Sequence, residues 1–245
     1  MGSNPASRAI PPLPTVRLLG MDFAQIAQTV SIFALPVLLA ITLHEAAHGY
    51  AARHFGDYTA AQAGRITLNP FAHIDPVGTI LIPIGLYVMT AGAFLFGYAK
   101  PVPVDFRALR HPKRDMVWVA LAGPASNLFQ AIAWGALFIL LRAFENEEPF
   151  FTSLARAGLL VNVVMFVFNL LPLPPMDGGR ILVGLLPWRA AVAVSRVEPY
   201  GFFIVLVLLL MGLVSEWWMR PLMSLTYLGL DWLLWPLRQV LEALL

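Results

Sequence analysis

The chain has 245 residues, of which 59% are hydrophobic and only 12% charged, against about a quarter charged in soluble domains. One globular core of this length cannot bury so much apolar side chain, so a bilayer must solvate much of it. The net charge is only +2, and the basic residues fall in short loops between apolar runs, where they act as orientation signals and not as a nucleic-acid surface.

Residues 1–22 form an amino-terminal tail without a signal-peptide pattern, and the segment from Phe23 onward reads as a retained anchor. The first span is expected over Phe23–Tyr50, kinked at Pro36. Within it lies His44-Glu45-Ala46-Ala47-His48. Residues four apart lie one above the other on a helix face. Two imidazoles so placed can share one zinc ion, with the glutamate between them left to activate water. A charged group at the bilayer centre costs about 2.5 kcal/mol or more, so three ionisable groups inside a span point to function.

Further spans are expected over Met116–Leu141, Leu154–Leu171, Tyr200–Trp218 and Leu222–Leu244, each near the length a helix needs to cross the hydrocarbon. Val77–Tyr98 is also apolar, but Gly78, Pro83, Gly85, Gly92 and Gly97 break its regularity. It is read as re-entrant, a form tolerated at depth only where protein or a cavity surrounds it. The expected fold is thus an all-α polytopic membrane protein with about five transmembrane helices and a re-entrant segment. Residues 23–188 would be the catalytic membrane core and 189–245 the carboxyl-terminal helices. On this topology eleven of the 16 Lys and Arg residues share one side, leaving Arg8, Arg17, Arg142, Arg156 and Arg220 on the other. The richer side is then cytoplasmic.

With no cysteine in the chain, a third zinc ligand must be His, Asp or Glu. His54 lies where the pattern H-E-x-x-H-x-x-G-x-x-H has its last histidine, but Ala51 replaces the glycine that turns the chain. A continuing helix would point His54 away. Asp57 and His73 have no spacing argument, and His73 is expected to support a loop. Asp177 is the better candidate. Pro172, Pro174 and Pro175 must end the preceding helix, and Gly178 and Gly179 permit close backbone approach. The competing reading is an aspartate that caps the following helix. The re-entrant topology decides for a ligand, because it brings Asp177 to the histidines' side of the membrane.

His44-Glu45-Ala46-Ala47-His48, Gly123-Pro-Ala-Ser-Asn127 and the run Asn169 to Gly179 together resemble the site-2 protease family of intramembrane zinc proteases. Gly97 to Val104 resembles a segment of its short bacterial members. The likeness covers roughly Leu38–Leu186, with Met176 where leucine is common. It implies one zinc ion held by His44, His48 and Asp177, with Glu45 as general base. It also implies Asn127 and Asn169 as residues that bind substrate or support the transition state. A PDZ insertion or CBS pair, carried by some members, is not expected here.

The activity so implied is hydrolysis of peptide bonds within or near the transmembrane segments of membrane-anchored proteins, in a bacterial inner membrane with the site toward the cytoplasm. A helical substrate hides its carbonyls in its own hydrogen bonds, so it must unwind locally. Tyr58–Leu68, with Gly64 at a turn, is expected to supply an edge strand for it, resembling the family's membrane-associated β-hairpin. An ion-coupled carrier also uses broken helices near carboxylates, but commonly in paired halves. This chain has no second such break in a matching position.

Overall fold

The computed structural model describes residues 23–82, 85–86, 97–144 and 148–244. Its elements are α1 (Phe23–His54), the single turn α2 (Thr59–Gln62), α3 (Pro112–Ala143), α4 (Pro149–Asn169), α5 (Asp177–Leu185), α6 (Trp188–Ser195), α7 (Glu198–Leu210) and α8 (Arg220–Leu244). No strand occurs among the described residues. Ala27–His54, α3 and α4 are long and apolar enough to cross a membrane. The pair α6 and α7, bent by 65°, makes a fourth span if counted as one. Large apolar side chains such as Phe129, Phe150 and Phe203 stand exposed on these helices, as lipid contact allows and water does not.

Helices α1, α3 and α4 pack on one another. Proline opens both α3 and α4, where its missing N–H costs nothing. Asp115 in the first turn of α3 accepts from the His111 amide at 2.8 Å, tying down a donor the helix cannot satisfy itself. Ala131, Val163 and Val167 form one core with Leu230 of α8. After Asn169 the chain turns through Leu170–Met176. Here the prolines stop α4, and the double glycine lets α5 start against that turn. A Cβ on Gly178 would lie 2.1 Å from the Leu170 carbonyl oxygen, and one on Gly179 would lie 2.1 Å from the Pro174 nitrogen.

The expected re-entrant segment Val77–Tyr98 is described mainly at its two ends. Although residues 87–96 lie outside the described set, the segment's two ends meet. The Tyr98 amide donates to the Gly78 carbonyl at 3.0 Å, and the Thr79 hydroxyl donates to the Tyr98 carbonyl at 2.9 Å. A helix crossing the hydrocarbon would hold such ends about 30 Å apart.

Three sequence expectations change. Tyr58–Leu68 is not a hairpin strand: Asp57 accepts from the Thr59 amide at 2.8 Å and its hydroxyl at 2.5 Å, which starts α2 instead. Residues 65–67 carry no regular secondary structure. The segment expected over Tyr200–Trp218 breaks at Gly212, whose φ of 75° ends α7. The last helix forms, but it carries Asp231 and Arg238, paired at 2.5 Å, and is not among the helices apolar enough to span.

Candidate metal centre

Three polar side chains converge between α1, α3 and α5. His44 and His48 lie one turn apart on α1, both buried, and Asp177 is the first residue of α5. Asp177 Oδ2 is 3.2 Å from His44 Nε2 and 3.3 Å from His48 Nε2, and the two Nε2 atoms are 3.1 Å apart. The Asp177 carboxylate is buried, and its Oδ2 is turned toward the two imidazoles.

The outer ring nitrogens fix both imidazoles. His48 Nδ1 donates to the Val119 carbonyl at 2.7 Å, and His44 Nδ1 donates to Asn127 Oδ1 at 2.6 Å. Both acceptors lie on α3, so in the neutral form each ring carries its proton on Nδ1 and turns a bare Nε2 toward Asp177. Outer-shell bonds of this kind orient histidine ligands. Three lone-pair atoms then share one buried spot, and Asp177 Oδ2 has no hydrogen-bond donor there. A divalent cation resolves that arrangement. Tetrahedral zinc with bonds of about 2.0–2.1 Å has ligand–ligand edges of about 3.3–3.4 Å, which the observed triangle meets closely. The residues present therefore fit zinc.

The rings sit against α3 only because position 123 is glycine. A Cβ there would lie 2.3 Å from His48 Nε2 and 2.6 Å from His44 Cε1. Glu45 is half-buried beside the trio, and its Oε2 accepts from the Val102 amide at 2.7 Å. Val102 stands between Pro101 and Pro103, so its N–H is the one backbone donor of that run. Ile66 and Val102 both pack at Gly49, one turn past Glu45. Residues 65–67 and 99–104 thus lie over Glu45, joined by bonds from the Arg65 guanidinium to the Lys100 and Pro101 carbonyls.

The other residues weighed from the sequence fall elsewhere. Asn127 is fully buried, and its amide is spent on His44, on the Ala40 carbonyl at 3.2 Å and on Asn162 Oδ1 at 3.0 Å. It reaches a histidine and not an incoming chain. Asn169 ends α4 and donates to the Met165 carbonyl at 3.0 Å; among the described residues its Oδ1 has no partner. His54 is exposed, edge-on to Phe55. His73 is buried with Nε2 on the Thr67 carbonyl, a loop support. Asp57 is spent on α2 and on the Asp105 amide. Sequence reasoning missed Asn162, Val102 and the steric role of Gly123.

The model of Peptidase family M50 matches residues 144–212, which include Asn169 and Asp177. The Bacillus subtilis protein named Putative zinc metalloprotease YwhC is 42% identical over 184 residues, covering 73% of this chain and 80% of the relative. Putative zinc metalloprotease Rip2 of Mycolicibacterium smegmatis is 32% identical over 182 residues, covering 74% and 67%. Zinc metalloprotease MJ0392 of Methanocaldococcus jannaschii is 27% identical over 184 residues, covering 73% of this chain and 42% of that protein. No solved structure matches.

Proposed function

The chain belongs to peptidase family M50, the site-2 protease family, and is a zinc metalloprotease; we propose that it cuts peptide bonds within or close to the transmembrane segments of membrane-anchored proteins. The observation that carries this reading is the triangle of His44 Nε2, His48 Nε2 and Asp177 Oδ2, set inside helices that lipid must solvate. His48 and His44 precede the end of α1 by six and ten residues, or about 9 and 15 Å at the helical rise. Water can reach that depth from one side of the membrane.

His44, His48 and Asp177 are the proposed zinc ligands and Glu45 the general base. Zinc, when bound, supplies Lewis acidity toward a water molecule and a peptide carbonyl. Glu45 takes the proton of the attacking water and returns it to the leaving amine. The Val102 amide holds one carboxylate oxygen and leaves the other for the proton. Asn169 Oδ1, without a partner among the described residues, is suited to a substrate N–H. An unwound substrate needs backbone partners of its own. The irregular runs 65–67 and 99–104 lie beside Glu45 and are the proposed source of those partners, in place of a hairpin. The charge asymmetry supports a cytoplasmic position for this side, in a bacterial inner membrane, and α8, with its paired Asp231 and Arg238, is the proposed fifth crossing.

Glu45→Gln tests the reading. Glutamine keeps an acceptor for Val102 but cannot take a proton. Comparative membrane proteomics of the two strains should show an anchored protein whose cytoplasmic fragment disappears in the variant, while the purified variant retains zinc. A Gln variant that still cuts would remove Glu45 as base.

A further inference from the structure

The His44 ring is held by an asparagine, and an asparagine amide can face either way. With its Nδ2 toward His44, Asn127 would force Nδ1 to accept, which places the ring proton on Nε2 and removes that atom as a ligand. Something must fix the amide. Asn127 Nδ2 donates to Asn162 Oδ1 on α4 at 3.0 Å and to the Ala40 carbonyl at 3.2 Å. Asn162 has the same ambiguity, but its own Nδ2 donates to the Gly158 carbonyl, one turn back on α4, at 2.9 Å. A carbonyl can only accept. The polarity is therefore set by two carbonyls: Ala40 acts on Asn127 Nδ2 directly, and Gly158 acts through Asn162, whose Oδ1 it turns toward Asn127 at the shorter distance; both turn Asn127 Oδ1 toward His44.

We propose that Asn162 is a positioning residue for the metal centre: together with the Ala40 carbonyl it holds Asn127, and through Asn127 it holds the orientation and tautomer of His44, so that Nε2 is presented bare. The chain of contacts crosses three helices and joins residues 35 and 83 positions apart. Asn127 and Asn162 both have zero exposure. A buried amide costs free energy unless every donor and acceptor is used, and two adjacent ones indicate a network held for specificity. Packing alone would be served by leucine, which has the same branched skeleton of four heavy atoms. Gly158 belongs to the same device: a Cβ there would strike the Trp134 ring at 2.2 Å, so glycine lets α4 approach α3 closely.

The inference rests on the zinc reading above, and the experiment separates the two. The purified full chain in detergent is loaded with zinc and titrated with a competing chelator, with thermal unfolding followed in parallel. Loss of an outer-shell partner typically weakens metal binding 10- to 100-fold. Asn162→Leu should weaken zinc binding about tenfold. Asn162→Asp, whose fully buried carboxyl stays protonated, can donate its O–H to the Gly158 carbonyl and accept from Asn127 Nδ2 with the other oxygen, and should restore it to within about threefold of wild type. Val163→Ala is the control, because Val163 is equally buried on the same helix but belongs to the apolar core. It should lower the unfolding temperature and leave zinc affinity unchanged. If Asn162→Leu does not fold, Asn162→Ala takes its place. Wild-type affinity in the leucine variant, failure of the aspartate variant to restore binding, or an equal loss in Val163→Ala would overturn the inference. A wild-type chain that binds no zinc would instead overturn the metal reading itself.

Discussion

Gly123→Ala adds one methyl group at the tightest point of the site. Its Cβ would lie 2.3 Å from His48 Nε2 and 2.6 Å from His44 Cε1, where ordinary contact begins at 3.4 Å. The rings, or α1 with them, must retreat by about 1 Å, against a tolerance of about 0.2 Å in a metal–ligand distance. Overpacking alone costs about 1–3 kcal/mol, which a helical bundle of this size survives. The zinc site does not survive it, and affinity should fall at least ~100-fold, the upper end of the loss seen when an outer-shell partner is removed. Gly135→Ala, on the same helix, meets only the flexible end of Leu234 at 2.8 Å and should leave zinc unaffected. The assay is zinc content and chelator competition on purified protein, with circular dichroism to confirm that the helices form. A folded Gly123→Ala protein with wild-type zinc affinity would refute the packing of the histidine pair on α3.

Gly178→Ala drives a Cβ into the Leu170 carbonyl, and backbone cannot swing aside; thermal unfolding should fall by an amount equivalent to about 3 kcal/mol or more. Asp57→Ala strands the donors of Thr59 and Asp105; a loss of about 2–3 kcal/mol is expected, and proteolysis between residues 57 and 105 should quicken while zinc content stays the same. His54→Ala should change neither zinc content nor cleavage, since that ring is exposed beyond the site. Zinc at 100 times its dissociation constant should raise stability by about 2.7 kcal/mol through mass action. A scan with and without chelator reads that shift, and Asp177→Asn should abolish it.

Local pattern carried much of the site. The spacing of His44, Glu45 and His48 states a helix face, and an apolar span makes its polarity costly enough to be informative. Asp177 needed topology as well: only a chain that enters and returns over Val77–Tyr98 puts it near the imidazoles, and the Gly78–Tyr98 hydrogen bond joins those ends. What spacing cannot show is who holds whom. Asn127 reads as a substrate contact until its amide is seen to be fully spent, and Asn162 has no motif at all. The Val102 amide is backbone, so its identity as a donor to Glu45 leaves no mark beyond the prolines beside it. The hairpin failed at one residue, because the buried carboxylate of Asp57 captures Thr59 and starts a helix turn. Trp218, assignable from sequence to an interfacial belt, donates to the Val167 carbonyl at 2.8 Å and pins the end of that segment to α4.

Zinc K-edge X-ray absorption on the purified, zinc-loaded chain reads the ligand set itself. The structure predicts two imidazole nitrogens and one carboxylate oxygen among the nearest ligands, at about 2.0–2.2 Å, with the oxygen contribution diminished in Asp177→Asn. A spectrum with three imidazoles, or one that Asp177→Asn leaves unchanged, would contradict the joining of α1 and α5 around one ion.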